Sequence, residues 1–185
     1  MEKLIVIFDR DGVINELNQK VTETVGVLYE LFQHYKIEAN PHFSEDVKKA
    51  IYQCYKDPQI FADVEPTNGY MEIARLKKDK RVHLVMNSLS TSHIIAEVKR
   101  EWDKKHGITF FDEYRDCFGQ KKQMQAAFIQ VEDCLDNIFE SPAQYKILID
   151  RPYNQGNIPA NTFRVYGLPE AVDVIERILK TASLK

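Results

Sequence analysis

The sequence has little cysteine, and its cysteines are far apart. Only three occur among 185 residues, and no two of them form a Cys-x-x-Cys pair. Because an odd, widely spaced set does not suit a disulfide framework, we expect a reducing compartment. The five histidines also lack the close spacing of zinc ligands, which disfavours a zinc site.

Long apolar runs and an excess of positive charge are missing as well. The run before Asp9 has five apolar residues, too few for the core of a signal peptide or for a membrane span. The 25 basic residues are outnumbered by 28 acidic ones, and the net charge is −3. Such a balance disfavours a nucleic acid polymer as partner. We therefore expect a cytoplasmic protein that acts on small molecules, with no membrane partner.

The chain does contain short, continuous apolar runs rich in branched residues. They occupy residues 4–8, 82–86, 147–149 and 163–166. Such runs are typical of strands that are buried on both faces of a parallel sheet. Helical patterns lie between and after them, at about 90–107 with Ser90 or Thr91 as the cap, at about 122–131, and from Pro169 onward. This alternation predicts a three-layer α/β domain.

The stretch from about residue 18 to residue 63 interrupts the alternation. Its apolar residues fall at helical spacing, as in Val47, Ile51 and Cys54, and no buried strand is evident. We therefore expect a core domain formed by residues 1–17 and 64–185, with a helical insertion at 18–63 after the first strand.

Polar side chains follow the predicted strands at their carboxyl ends, where ligands bind in open parallel sheets. Asp9 and Asp11 follow the first run, Asn87 and Ser88 follow the second, and Asp150 follows the run at 147–149. Converging carboxylates favour a hard cation such as Mg²⁺, which also binds phosphate oxygens. The set therefore predicts phosphoryl transfer, in which a carboxylate can act as the nucleophile.

The motif Asp9-Arg10-Asp11-Gly12-Val13, placed directly after an apolar strand, resembles the first motif of the haloacid dehalogenase (HAD) superfamily of phosphatases. The stretches DVEPTNGY at 63–70 and ILIDRPYN at 147–154 resemble its 5′(3′)-deoxyribonucleotidase branch, and the likeness spans most of the chain. This resemblance implies a HAD-like Rossmannoid core with a small helical cap. It also implies Mg²⁺-dependent hydrolysis of nucleoside monophosphates through an aspartyl-phosphate.

The resemblance also implies roles for the acidic residues. Asp9 would attack phosphorus and bind Mg²⁺ through its carboxylate. Asp11 would protonate the leaving oxygen, then deprotonate the hydrolytic water, and would offer its backbone carbonyl to the metal. Asp150 would complete the protein ligands of the metal.

Phosphate binding is implied for three positions. Lys121, or Lys122 if the register slips by one, would pair with the phosphate, and Asn87 or Ser88 would donate to a phosphate oxygen. Two positions depart from the family pattern. Asn87 stands where threonine or serine is usual, and Ile149 stands where the first of two adjacent acids is usual.

Arg10, between the two acids of the first motif, would point away from them in an extended chain, and we expect it at the surface, with a lid salt bridge or a substrate contact as alternatives. Two other functions stay open on the sequence alone. One is a HAD phosphatase for another small phosphoester, and the other is a catalytically decayed HAD-fold protein that binds a nucleotide or a partner. A homodimer is compatible with the sequence.

Overall fold

The first apolar run forms the central strand of a parallel sheet. In this computed structural model, which describes residues 3–119 and 126–182, side chains are buried from Val6 to the end of that strand. The strands of the described chain are β1 (Leu4–Asp9), β2 (Val82–Leu89), β3 (Glu113–Cys117), β4 (Ile129–Glu132), β5 (Tyr145–Ile149) and β6 (Thr162–Val165). All neighbouring strands in this sheet pair in parallel.

Helices connect most of these strands and confirm the α/β class. The α-helices of the described chain are α1 (Leu17–Thr24), α2 (Glu45–Cys54), α3 (Pro58–Ala62), α4 (His93–Lys105), α5 (Leu135–Glu140) and α6 (Leu168–Ala182). Short 3-10 helices occur at Tyr29–Leu31, Ile37–Ala39, Tyr70–Lys78 and Pro152–Asn154. No helix in the described ranges is long and apolar enough to cross a membrane.

The order of the strands places a crevice beside β1. The order is β3-β2-β1-β4-β5-β6, so the chain moves outward from β1 first in one direction and then in the other. Asp9 of β1 is in register with Asn87 of β2, and Phe8 is in register with Val131 of β4. In such sheets, ligands bind at the carboxyl ends of the strands where the order reverses. Here the order reverses between β1 and β4, so the expected binding position is at the carboxyl ends of these two strands.

The helix predicted at about 122–131 is wrong over its described part, because residues 129–132 form β4. Residues 120–125 lie outside the described ranges. The spacing of Ala127, Phe128 and Val131 is typical of a helix, but Ile129 and Val131 are branched residues that also suit a strand. The segment forms a strand because it pairs with β1 on one side and with β5 on the other. The strand β3 was not predicted, because its polar residues lie at the edge of the sheet.

The stretch between β1 and the Tyr70–Lys78 segment is helical, as predicted, and shares the hydrophobic core of the sheet. Phe32, Phe43 and Ile51 from this stretch belong to the same buried cluster as the strand residues. The indole Nε1 of Trp102 in α4 donates to the carbonyl oxygen of Val64 (2.7 Å). The cap of α4 is Ser92, which accepts from the Ile95 N–H (3.3 Å), so the predicted caps one or two residues earlier are wrong.

Candidate active site

Three acidic side chains meet where β1 and β4 end. Asp9 is the last residue of β1, Glu132 is the last of β4, and Asp133 follows directly. One carboxylate oxygen from each lies within 4.8 Å of the others, and each residue is at most 2% exposed. Buried carboxylates at this separation repel one another, and an oxygen-seeking cation such as Mg²⁺ removes that repulsion. The donor set therefore fits a magnesium ion.

Neutral donors orient two of these carboxylates. The backbone N–H of Arg10 donates to Asp9 Oδ1 (2.6 Å). The side-chain amides of Asn137 and Gln130 donate to the two oxygens of Glu132, at 3.2 and 3.3 Å. Amide donors fix the direction of a carboxylate while leaving its charge in place. The negative charge at the ends of β1 and β4 is therefore held in position and not cancelled by these groups.

Asp133 is held more tightly, by the segment that follows β5. The Tyr153 hydroxyl donates to Asp133 Oδ2, and the Asn154 side-chain amide donates to the Asp133 backbone carbonyl (2.7 Å). Burial raises the pKa of Tyr153, and the nearby charge of Asp133 raises it further. The hydroxyl therefore stays protonated and remains a donor.

Gly12 explains why the first motif needs glycine here. Its φ is +80°, and a Cβ at this position would lie 1.9 Å from Asp133 Oδ2. The Gly12 carbonyl accepts from Nε and Nη2 of Arg151, at 3.0 and 2.7 Å. The loop after β1 and the acid after β4 can approach each other only because residue 12 has no side chain.

Asp150, predicted as a metal ligand, follows β5 and is not in the three-carboxylate group. Its Oδ1 accepts from Arg164 Nη1 (2.8 Å) and from the Gln155 amide (3.0 Å). The neighbouring Arg151, Tyr153 and Asn154 make the contacts to Gly12 and Asp133 described above. A role for Asp150 as a metal ligand stays a prediction. The geometry favours Asp133 as the carboxylate that binds the metal together with Asp9.

Asp11 lies on the other side of Asp9, opposite a buried lysine. Lys99 of α4 is 2% exposed, and its ammonium donates to Asp11 Oδ2 and to the Leu89 carbonyl (2.6 Å). The same ammonium lies 4.9 Å from the centre of the Phe61 ring. Asn15 donates to Asp11 Oδ1 (3.1 Å). A cation beside the acid of the first motif suits an anionic ester.

Lys99 was not among the predicted site residues, whereas Lys121 and Lys122 lie outside the described residues. A signal for Lys99 was present in the sequence. It falls on the buried stripe of α4, four residues after Ile95 and three before Trp102. Because lysine is rarely buried without a partner, a lysine on such a stripe indicates a buried anion.

Glu132 and Asp133 were also missed, because the strand that precedes them was predicted as helix. The signal was two adjacent acids directly after Ile129-Gln130-Val131. The family resemblance implies two adjacent acids at the end of a strand. Glu132 and Asp133 have that pattern, whereas the predicted position has Ile149 before Asp150.

Asn87 and Ser88, the predicted phosphate donors, are the sixth and seventh residues of β2. Both are buried, and Asn87 pairs in register with Asp9. The Ser88 hydroxyl oxygen has no hydrogen-bond partner within the described residues. A buried hydroxyl without a partner costs about 1–3 kcal/mol, which supports a bound group at this position.

A cleft opens beside Asp9, Asp11 and Lys99. Its volume is about 310 Å³, at the small end of the range for ligand pockets. Charged groups and mostly apolar and aromatic side chains from residues 17–61 line it together. The lining includes Asp9, Asp11, Lys99, Leu17, Asn18, Phe32, Tyr35, Ile37, Tyr55 and Phe61. The cleft can therefore hold an anionic group beside Asp9 and a flat apolar group beside the rings.

The sequence matches one family model over nearly its whole length. The model is described as 5′ nucleotidase, deoxy (pyrimidine), cytosolic type C protein, and it matches residues 3–181. No curated protein sequence matches the chain.

Solved structures with the same fold are distant in sequence. A predicted phosphatase from Clostridium acetobutylicum aligns with a TM-score of 0.62 and 14% identity, covering 96% of this chain and 100% of that one. A haloacid dehalogenase-like hydrolase from Streptococcus pneumoniae gives 0.61 and 13%, covering 94% and 98%. The D,D-heptose 1,7-bisphosphate phosphatase from B. bronchiseptica, complexed with magnesium and phosphate, gives 0.57 and 13%, covering 96% and 99%.

Proposed function

This chain belongs to the cytosolic type C 5′ nucleotidase family of HAD-type phosphatases, and on that premise we propose that it hydrolyses nucleoside monophosphates with Mg²⁺. The family resemblance inferred from the sequence is thereby confirmed. The substrate and the dependence on Mg²⁺ are the proposed part.

One observation carries the proposal. Asp9 ends β1, which lies between β4 and β2. β4 ends in the acid Glu132, which Asp133 follows, whereas in β2 the Leu89 carbonyl accepts from Lys99, the partner of Asp11. The acidic group suits a metal, and the lysine suits the phosphate charge. A phosphoryl group placed between them has its charge balanced from both sides.

In the proposed reaction, a carboxylate oxygen of Asp9 forms a bond to phosphorus while the ester P–O bond breaks. Asp11 gives its proton to the leaving nucleoside oxygen. Asp11 then takes a proton from water as that water attacks phosphorus, and the bond from phosphorus to Asp9 breaks. Inorganic phosphate leaves, and both carboxyl groups return to their starting states.

The metal ligands proposed from the geometry are the carboxylates of Asp9 and Asp133, with Glu132 beside them. When bound, Mg²⁺ would neutralise charge on the phosphoryl oxygens. Asp11 keeps the role of backbone ligand that the resemblance implies. Asp150 is the alternative carboxylate for the same place.

Phosphate binding is proposed for Lys99 and for the Asn87–Ser88 pair. Lys99 is buried at the cleft and reaches Asp11, so a short shift of its flexible end would bring it onto a phosphate oxygen. The unpartnered Ser88 hydroxyl supports a second donor. The role predicted for Lys121 or Lys122 stays open beside these.

The nucleoside part of the substrate is supported by the family and by the cleft. Phe32, Tyr35 and Tyr55 are among the aromatic side chains that line the cleft, and aromatic rings stack on bases. We also keep the proposed division into a core of residues 1–17 and 64–185 and a cap at 18–63, since the cleft has lining residues from both. A cytoplasmic location and a homodimer remain predictions.

The test is phosphate release from a panel of ribo- and deoxyribonucleoside monophosphates, with sugar phosphates as competitors, in Mg²⁺ and in EDTA. We expect release from nucleotides only with Mg²⁺, and its loss in the Asp9→Asn variant. Preference for sugar phosphates would overturn the nucleotidase assignment. Nucleotide binding by calorimetry without turnover would favour the decayed, binding-only protein.

A further inference from the structure

The arginine of the first motif is completely buried, contrary to the expectation of surface exposure. Arg10 is 0% exposed and does not point away from the acids, because its Nη1 lies 3.2 Å from Asp11 Oδ1. Its guanidinium lies 4.8 Å from the centre of the Trp102 ring. An arginine at this depth needs a partner for every direction in which it donates.

The other donors of Arg10 all point to α4. Nε and Nη2 donate to Asp103 Oδ1, at 3.2 and 3.1 Å, and Nη2 also donates to the Lys99 carbonyl (2.9 Å). Asp103 is 4% exposed. Lys99 and Asp103 are four residues apart, so both lie on the same face of the helix. The helix therefore fixes the guanidinium through one carboxylate and one carbonyl.

Asp11 is consequently held to α4 by two connections. Arg10 donates to Asp11 Oδ1 and so links it to Asp103, and the Asn15 amide donates to the same oxygen (3.1 Å). The Lys99 ammonium contacts Oδ2. Oδ1 thus accepts from Arg10 and Asn15, which do not line the cleft, whereas Oδ2 accepts from Lys99, which does. The oxygen that can exchange a proton with a substrate is then Oδ2.

We infer that Arg10 and Asp103 form a positioning pair that orients Asp11 for proton transfer, with Asp103 acting through Arg10. This inference rests on the proposed function. Asp103 anchors the guanidinium through two N–H groups, so that the third stays on Asp11 Oδ1 and keeps Oδ2 toward the leaving oxygen. Neither residue of the pair touches the substrate, and Asp103 also offsets the charge that Arg10 brings beside Asp11.

The pair has to be ionised to hold this arrangement. Burial raises the pKa of Asp103 to about 6, although the charge of Arg10 opposes that shift. Experiments should therefore be run well above this pH, where Asp103 carries its charge.

The test compares Asp103→Ala, Asp103→Asn and the double variant Arg10→Met/Asp103→Leu. The control is Asp116→Asn, which removes the negative charge from the pair of Asp116 with Arg100, an exposed residue of the same helix. With a nucleoside monophosphate, we expect kcat of Asp103→Ala to fall about 10–100-fold, while KM stays within about threefold. Asp103→Asn keeps one oxygen that can accept from Arg10, so its kcat should lie between those of Asp103→Ala and wild type. The control Asp116→Asn should have the kcat of wild type.

A second substrate separates positioning from a merely structural role. p-Nitrophenolate leaves without a proton, so formation of the phosphoenzyme from p-nitrophenyl phosphate needs no acid, whereas its hydrolysis still needs Asp11 as base. In rapid mixing with Asp103→Ala, we expect a burst of p-nitrophenolate near one equivalent per enzyme, followed by slow turnover.

The double variant covers the case in which Asp103→Ala does not fold. Replacing a buried ion pair with apolar residues is often neutral for stability, so this variant should fold and still show low kcat and a burst. Wild-type kcat in the folded double variant would overturn the inference, as would unchanged kcat in Asp103→Ala. A wild-type enzyme that releases no phosphate would overturn the proposed function together with this inference.

Discussion

The turns after β4 and β5 look alike in sequence and differ in the structure. Each begins with an acid directly after a buried strand, Asp133 in one case and Asp150 in the other. Asp133 lies with Asp9 and Glu132 in a buried cluster, whereas Asp150 is half-buried and paired with Arg164. One turn places its acid beside two other acids, and the other places its acid beside an arginine.

The difference follows from position in the sheet. β4 is next to β1, where the strand order reverses, so its end faces the loop of the first motif. β5 is one strand further away, and side chains from its turn reach across to both neighbours, Arg151 to Gly12 in the loop after β1 and Tyr153 and Asn154 to Asp133 after β4. The turn after β5 therefore supports the site that the turn after β4 forms.

The sharpest test of this comparison exchanges one acid at a time. Asp133→Asn should lower kcat/KM about 100-fold or more, because it removes a charged ligand from the proposed metal site. Asp150→Asn should change kcat/KM less than about threefold. Phosphate release at saturating Mg²⁺ measures both. A larger loss in Asp150→Asn than in Asp133→Asn would return the metal ligand to the position predicted from sequence.

A second test concerns the close approach of Gly12 to Asp133. Gly12→Ala should lower the free energy of unfolding by about 3–5 kcal/mol, because the new Cβ would overlap the Asp133 carboxylate and φ is positive. Gly26→Ala is the matched control, since φ is +74° and a Cβ there meets no described atom within 4 Å. It should lower the free energy by about 1–2 kcal/mol. Urea unfolding measures both, and equal losses would contradict the close approach.

The two acids should also differ in how Mg²⁺ affects stability. A ligand at 100 times its Kd adds about 2.7 kcal/mol to the free energy of unfolding. We expect this gain in wild type and in Asp150→Asn, and its absence in Asp133→Asn. Urea unfolding with Mg²⁺ or with EDTA gives the three values. Stabilisation that persists in Asp133→Asn would place the ion elsewhere.

The smallest expected effect tests the link between the two turns. Tyr153→Phe removes the hydroxyl that donates to Asp133, and it should lower unfolding free energy by about 1–2 kcal/mol and kcat about tenfold. Tyr114→Phe removes a comparable bond, from the Tyr114 hydroxyl to the Ile108 carbonyl (2.7 Å). It should cost similar stability without changing kcat. A kcat loss shared by both variants would point to general loosening of the fold.

The sequence predicted the parts of the molecule where local pattern and final environment agree. The run at residues 4–8 is apolar on both faces, and it forms the centre of the sheet. Asp9 and Asp11 follow it, and the cleft contains both. The helical stretch between β1 and β2 was also recognised, because its apolar residues recur at helical spacing.

The remaining parts depend on contacts between distant residues. β4 is four residues long and becomes a strand because β1 and β5 pair with it, and Glu132 and Asp133 were missed with it. Arg10 is buried because Asp103, far along the chain, binds it. Lys99 becomes part of the site because α4 brings it to Asp11. None of these partners is adjacent in sequence, so a local pattern can mark such a residue as unusual but cannot identify the residue that it contacts.

The central place of β1 has a consequence for synthesis on the ribosome. β2, which begins at Val82, can cover one edge of β1, but the other edge waits for β4, which begins only at Ile129. At ordinary translation rates this interval is on the order of ten seconds. During that time an apolar strand presents an open row of N–H and C=O groups that another chain could pair with. The proposed nucleophile, Asp9, is therefore made early, and the nascent chain depends on its late half to protect β1 from aggregation.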